Sequence, residues 1–318
     1  MDEFGKDFDG KRILITGGTG SLGRTLTTQL LKFNVRELTV MSRHEDLQVQ
    51  MKREVKDPRV KYLIGDVRDL ERCRTATRHI DIIFHTAALK HVSDAEGHPS
   101  EAIKTNLMGT INIKNAAIAN NVASVIGIST DKAAKPVNVY GMTKALDEKV
   151  LLINENDTDT KFSVVRYGNV VGSRGSVVRY WYQLAKAGEI LPITDLRMTR
   201  FWLTLEDATK LIFASTRNPG KLMVKKCKSF KLIDLAQIYE QKYGVKSQTV
   251  GTRPGEKIHE VLLTDLEMRK AELLGEHYIV DYTKPDISDT LEDFTSANAE
   301  RATRDEMISI LQKEGFYD

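Results

Sequence analysis

Thr16-Gly17-Gly18-Thr19-Gly20-Ser21-Leu22-Gly23 is the stretch that decides the fold. It follows a short apolar run, Arg12-Ile-Leu-Ile-Thr16, that reads as a buried strand. It opens a segment, Ser21 to Phe33, with Leu22, Leu26, Leu30 and Leu31 at a helical period. Gly17, Gly20 and Gly23 are spaced G-x-x-G-x-x-G, which lets the chain turn tightly, admits a pyrophosphate to the backbone and packs helix on strand. The helix N-terminus then offers free N–H groups to phosphates. Strand, glycine turn and helix in this order predict a dinucleotide site built from Thr16, Gly17, Thr19, Gly20, Ser21, Leu22 and Gly23.

Outward from that turn, strands are expected at Leu38–Met41, Val60–Ile64, Asp81–His85, Val125–Ile128 and Phe162–Tyr167. Helices are expected between them, including Pro99–Asn120 and Tyr140–Ile153. Strands alternating with helices predict an α/β fold with a doubly wound parallel sheet. Residues 1–10 are polar and are expected to fray. Past Tyr167 the pattern changes. Helices are expected at Arg179–Gly188, Thr204–Ser215, Lys231–Tyr243, Asp265–Leu274 and Ser296–Phe316, and a strand at Leu222–Lys225. Residues 1–167 are therefore read as the nucleotide-binding domain, with a strand and helix returning to it near 204–225. Residues 168–203 and 226–318 are read as a smaller substrate lobe over the strand ends.

The chain has 318 residues, 41% apolar and 29% charged, enough for a large soluble α/β domain with an attached lobe. A net charge of +3 argues against a nucleic-acid partner and suits an anionic small substrate. Cys73 and Cys227 form no CxxC, and His, Cys and Asp do not cluster at ligand spacing, so free thiols and no metal are expected. No apolar run reaches the ~18 residues of a membrane span. The N-terminus has no signal-peptide core, and a cytoplasmic protein is expected.

Ser129-Thr-Asp-Lys-Ala-Ala-Lys-Pro-Val-Asn-Val-Tyr-Gly-Met-Thr-Lys144 runs from the end of a strand into a helix. Tyr140 and Lys144 share a helix face, and an ammonium beside a phenol lowers its pKa from ~10. Such a tyrosine can take a proton from a sugar hydroxyl while a hydride leaves the same carbon. Thr130, Asp131 and Lys132 place an acid and a potential base beside it. A lone Tyr-x-x-x-Lys pair also fits an exposed helix face, and a lone Asp-Lys pair fits a solvated loop. The upstream dinucleotide site favours the catalytic reading.

Strand two ends Met41-Ser42-Arg43-His44, with Glu45 only afterwards. Ser42 and Arg43 suit a 2′-phosphate, so NADP is expected over NAD. Asp66-Val67 sits where an adenine edge would lie, and Ala87 and Ala88 are small enough for a cofactor to pass. His85 reads as a satisfied strand-end histidine.

With these features in order, the chain resembles the extended short-chain dehydrogenase/reductase superfamily. Ala87-Ala-Leu-Lys-His91, Ser129-Thr-Asp-Lys-Ala133, Arg166-Tyr-Gly-Asn-Val-Val-Gly-Ser-Arg-Gly-Ser176, Leu191-Pro-Ile-Thr-Asp195, Met198-Thr-Arg-Phe-Trp202 and Arg253-Pro-Gly-Glu-Lys257 narrow the resemblance to the UDP-N-acetylglucosamine 4,6-dehydratase (inverting) family. The resemblance covers Thr16 to about Glu260. It implies a tightly held, recycled NADP, with Lys90 and Asn106 added to the cofactor site.

It also implies that Tyr140 deprotonates the sugar 4-hydroxyl, Lys144 supports it and Thr130 bonds the 4-oxygen. Lys132 removes the C5 hydrogen and Asp131 protonates the departing 6-hydroxyl. That role requires a neutral Lys132, and hence a depressed pKa. Lys90, His91, Asn169, Arg174, Pro192, Thr194, Thr199, Arg200, Arg253 and Glu256 are implied for UDP-N-acetylglucosamine, arginine forks suiting its pyrophosphate. Relatives assemble into dimers or hexamers. An epimerase acting through Tyr140, and an NADP-binding sensor without chemistry, remain the alternatives.

Overall fold

The computed structural model describes residues 2–153 and 158–318. Its centre is a nine-stranded sheet. The strands are β1 (Arg12–Thr16), β2 (Glu37–Ser42), β3 (Val60–Ile64), β4 (Ile82–His85), β5 (Ser124–Thr130), β6 (Lys161–Tyr167), β7 (Leu222–Lys225), β8 (Ala271–Leu274) and β9 (His277–Val280). Their order across the sheet is β3-β2-β1-β4-β5-β6-β7-β9-β8. The strands from β3 to β7 pair in parallel; β9 and β8 are added antiparallel at one edge.

Successive side chains of a strand point to opposite faces, and parallel strands are covered on both. Leu14, Ile83, Val125, Val164 and Leu222 belong to the core on one face. Their neighbours Ile13, Ile15, Phe84, Ile126, Val165 and Met223 belong to the core on the other. A third core forms the lobe, around Trp181, Trp202, Phe230, Tyr239 and Leu311.

The sheet reverses its winding between β1 and β4, and β5 and β6 extend it beyond β4. The carboxyl ends of β1, β2, β4 and β5 therefore open onto one crevice, where open α/β sheets bind ligands. The helix Val139–Leu152 follows β5 and carries Tyr140 and Lys144 back over it. Asn138 caps that helix, its side chain accepting from Gly141 N at 2.8 Å.

Four expectations are corrected. Residues 2–8 form short helical turns, and Phe4 and Phe8 are buried against Phe213, with Phe8 also on Phe33 and Phe84. Aromatic spacing of four, hidden in a polar segment, overrides its mean polarity; residue 1 lies outside the described residues. The helix at Asp265 stops at Met268, and Ala271–Leu274 and His277–Val280 form a hairpin on the main sheet. Gly275, at φ 60°, opens its turn. Part of the stretch assigned to the lobe thus belongs to the large sheet. The last helix is confined to Arg304–Lys313, with a Thr303–Glu306 capping box. The long helix from Pro99 contains a π-helical turn at Ile103–Met108 before continuing as Gly109–Ala119.

Candidate active site

Gly17, at φ 64°, turns the chain so tightly that an added Cβ would lie 2.8 Å from Ala87 Cα. The first and fourth strands thus close on each other here. An added Cβ on Gly23 would lie 2.4 Å from Gly18 Cα, so this helix turn packs directly on the loop. Gly20 caps the helix Ser21–Leu30 without a side-chain acceptor, leaving first-turn N–H groups for an anion. Thr19 is buried and Leu22 packs on the core. These residues fit a dinucleotide pyrophosphate.

Thr16 Oγ1 pairs with His85 Nδ1 at 2.8 Å, and His85 Nε2 with Thr110 Oγ1 at 3.1 Å. Burial, with Lys144 nearby, pushes this imidazole down to about 3. His85 is therefore the satisfied, neutral strand-end histidine the sequence suggested. Ser42 is buried and its Oγ accepts from Gln48 Nε2 at 3.0 Å. Arg43 NH1 lies 3.9 Å from Asp66 Oδ2, and Arg68 holds the same carboxylate. Burial pushes Asp66 up, but the arginines outweigh it and keep the carboxyl below its usual range. Val67 is buried and Ala87 and Ala88 are half-buried at the end of β4.

Asn106 is fully buried within the π-helical turn. Its Nδ2 donates to Leu89 O and Thr143 Oγ1, and its Oδ1 accepts from Leu89 N. It clamps the loop after β4 to the helix Val139–Leu152. Arg174 is relocated. Its NH2 donates to Thr19 O at 2.8 Å and Lys90 Nζ donates to Arg174 O at 2.7 Å, so the loop after β6 closes over the glycine turn. Arg174 and Lys90 therefore stand on the cofactor side, and His91 meets this loop at Gly175.

The five catalytic candidates lie around the end of β5. Lys132 Nζ is 3.0 Å from Asp131 Oδ1. Thr130 Oγ1 lies 3.1 Å from the same oxygen. Asp131 is fully buried, and burial is the main cause that pushes its carboxyl up. Lys132 departs from expectation. Burial alone would lower it, but Asp131 and Glu260 outweigh burial and raise its pKa. The shift is opposite to the depressed lysine that the resemblance implies, because the carboxyls of Asp131 and Glu260 flank the amine.

Tyr140 departs too: burial raises the phenol further than Lys144, Lys132 and its hydrogen bond to Thr130 lower it. Lys144 Nζ is itself engaged by Asp147 Oδ2 at 2.5 Å. Burial lifts Asp147 to about 6 against this lysine's pull.

On the lobe, Glu256 gathers the predicted substrate residues. Its Oε1 lies 3.4 Å from Thr194 Oγ1, 3.5 Å from Arg200 NH2 and 3.2 Å from Arg253 NH2. Arg200 is buried, whereas Arg253 is exposed at the rim. Pro192 is half-buried beside Ile193. Asn169 Oδ1 is buried with no partner among the described residues, as a group facing a ligand would be. Thr199 Oγ1 is held by His259 Nδ1 at 2.8 Å and Ser296 Oγ at 2.7 Å, so it braces the lobe and offers no free hydroxyl.

Two acids escaped the sequence reading. Asp147 stands three residues after Lys144, a spacing that was legible on the helix. Glu260 precedes the apolar run Val261-Leu-Leu263, where a charge next to a buried strand was the available signal. Among the described residues no group of three His, Cys, Asp or Glu could hold a metal, and no helix is long and apolar enough to cross a membrane.

The profile of the polysaccharide biosynthesis protein family matches residues 13–282. The chain is 44% identical over 264 residues to UDP-N-acetylglucosamine 4,6-dehydratase (inverting) of Campylobacter jejuni, covering 81% of this chain and 78% of that protein. It is 37% identical to a UDP-glucose 4-epimerase of Rickettsia akari, covering 96% of each. Among solved structures, Pen from Bacillus thuringiensis superposes with a TM-score of 0.92 at 33% identity, covering 98% of this chain and 99% of that one.

Proposed function

The chain belongs to the polysaccharide biosynthesis protein family, among the extended short-chain dehydrogenases/reductases, and from that premise we propose that it is an NADP-dependent UDP-N-acetylglucosamine 4,6-dehydratase that inverts C5. The observation that carries this reading is the contact of Asp131 with Lys132 at the end of β5, on the segment that leads to Tyr140 and Lys144. An acid and an amine beside the tyrosine serve an elimination, for which an epimerase has no use.

A bound NADP would supply the hydride acceptor, taking hydride from C4 and returning it to C6. Thr16, Gly17, Gly20, Ser21 and Gly23 would hold its pyrophosphate, Ser42 and Arg43 its 2′-phosphate, and Asp66 and Val67 its adenine. Tyr140 takes the proton of the 4-hydroxyl, Lys144 favours the phenolate and Thr130 bonds the 4-oxygen. The 4-ketone makes the C5 hydrogen acidic; Lys132 removes it, and Asp131 protonates the 6-hydroxyl as it leaves as water. A proton from solvent adds to C5 on the opposite face while Tyr140 returns its own to solvent, giving a 4-keto-6-deoxy-L-sugar nucleotide. Asn169, Arg200, Arg253 and Glu256 receive the UDP moiety. Met142 and Leu146, exposed one turn apart, and Ile103 and Met108, exposed on the neighbouring helix, support a homo-oligomer assembled through these helices.

Incubation with UDP-N-acetylglucosamine, read by mass spectrometry, tests the proposal: loss of one water is expected, with inverted C5 in the product. An unchanged mass and a 4-epimer would establish the second reading, which the Rickettsia akari relative favours. Lys132→Ala is expected to retain C4 oxidation and to lower water loss by about 10²–10⁴-fold. Dehydration at the wild-type rate would remove Lys132 from the chemistry. Arg43→Glu is expected to shift cofactor preference from NADP towards NAD by about 10–100-fold, the worth of one charged hydrogen bond. Titration of the cofactor-free protein with each dinucleotide reads this, and an unchanged ratio would take Arg43 out of the site.

A further inference from the structure

Glu260 stands immediately before the strand Val261–Leu263 and is 2% exposed although charged. Its Oε1 lies 3.4 Å from Lys132 Nζ and 3.8 Å from Arg200 Nε. Its Oε2 has no hydrogen-bond partner among the described residues. Across the lysine, Asp131 Oδ1 is 3.0 Å away, and Asp131 Oδ2 is likewise unpartnered. One ammonium therefore bridges two buried carboxylates, each with an oxygen to spare. Buried polar atoms are normally satisfied, so two such oxygens in one cluster call for an account.

The elimination needs the amine of Lys132 neutral, and an ionised carboxylate beside it holds it protonated. Asp131, raised by burial, already carries the proton it gives to the 6-hydroxyl and so cannot also take the lysine's. Glu260 is the other carboxylate in reach. A substrate seated on the cluster excludes water, and in a drier setting an ion pair loses ground to the neutral acid and amine.

We propose that Glu260 is the proton acceptor that frees Lys132 to act as the base, a positioning residue acting through Lys132 that rests on the dehydratase reading. A proton passes from Lys132 Nζ to Glu260, breaking N–H and forming O–H. The amine lone pair takes the C5 proton and the C5–H electrons form the C5–C6 double bond. The C6–O bond breaks onto oxygen, which takes the Asp131 proton and leaves as water. Lys132 is again an ammonium, Asp131 a carboxylate and Glu260 an acid. Lys132 then passes a proton to Asp131, Glu260 returns its own to the amine, and the cluster is restored.

The test is Glu260→Gln in the full chain, mixed rapidly with UDP-N-acetylglucosamine and with its C5-deuterated form. C4 oxidation, read from nicotinamide absorbance, is expected near the wild-type rate. Water loss is expected to fall by about 10²-fold or more with KM unchanged, and to become sensitive to deuterium at C5. Glu260→Asp, which keeps a carboxylate, is expected to recover part of the loss. A merely structural glutamate would slow both half-reactions together; that result, or wild-type dehydration by Glu260→Gln, overturns the proposal. If Glu260→Gln does not fold, Glu260→Asp carries the test: elimination slowed more than oxidation supports it, and equal slowing overturns it. Wild-type protein that oxidises the sugar without losing water overturns the dehydratase reading, and this inference with it.

Discussion

On the proposed dehydratase reading, Tyr140→Phe is expected to lower kcat for UDP-N-acetylglucosamine by about 10²–10⁴-fold and to leave KM nearly unchanged, the signature of losing a group that acts on a proton in the transition state. The ring still fills its place between Thr130 and Lys144, so binding survives and the proton transfer does not. Unlike Lys132→Ala, this variant stops the reaction before C4 oxidation, and no reduced nicotinamide accumulates. The pH dependence separates the roles further. Burial holds the phenol of Tyr140 above its ordinary value. The base form is therefore the minor one at neutral pH, and C4 oxidation by wild-type protein is expected to quicken as pH rises. The residual rate of Tyr140→Phe lacks that rise. Rapid mixing at several pH values, followed by nicotinamide absorbance, checks both statements. A variant that oxidises the sugar at the wild-type rate would move the base elsewhere.

The second large effect is on stability. Arg166 on β6 is 2% exposed, between Glu148 and Glu267. It donates to Glu148 Oε1 at 2.8 Å, to Glu267 Oε2 at 2.7 Å and to Leu262 O at 2.8 Å. Ser129 and Tyr282 donate to the same two glutamates. The cluster ties β5, β6, the helix Val139–Leu152 and the segment after residue 260 together. Arg166→Leu leaves two buried carboxylates uncompensated and is expected to cost about 3–5 kcal/mol, measured as a fall in denaturant midpoint. Replacing Glu148 and Glu267 by methionine in the same chain is expected to return part of that loss, since an apolar triad has no charge to strand.

The pH dependence follows from Glu267. Burial pushes its carboxyl up, but Arg166 and Tyr282 outweigh it and hold it at about 2, below the ordinary 4.5. A depressed acid contributes stability that is full above the unfolded value. That contribution is lost as pH falls from about 4.5 to about 2. Without Arg166 burial raises the glutamate above its ordinary 4.5, and the variant is relieved as pH falls from neutrality towards about 4.5. A variant as acid-sensitive as wild type would place Glu267's partner elsewhere.

How far the residues could be read before the structure depends on what each one needs. Gly17, Gly20 and Gly23 act through local backbone geometry, and Tyr140 and Lys144 through helical spacing, so short stretches carry both. Thr130, Asp131 and Lys132 are neighbours in sequence and their contact was legible for the same reason. Asn106 and Arg174 make hydrogen bonds within the chain that their sequence context does not announce. Whether an amide or guanidinium is free for a ligand depends on partners such as Leu89, Thr143 and Thr19, which lie 17, 37 and 155 residues away.

The positions of the first six strands, the glycine turn and the family follow from the sequence by itself, because apolar period, glycine spacing and short motifs are local properties of the chain. The protonation of Lys132 and Tyr140 does not. Burial and charge at a site are sums over every segment packed around it: burial decides the direction for Tyr140, and Asp131 together with Glu260 from the lobe decides it for Lys132. Only the folded chain brings the carboxylate of Glu260 from the lobe within 3.4 Å of the amine of Lys132 just past the end of β5, and so raises that amine.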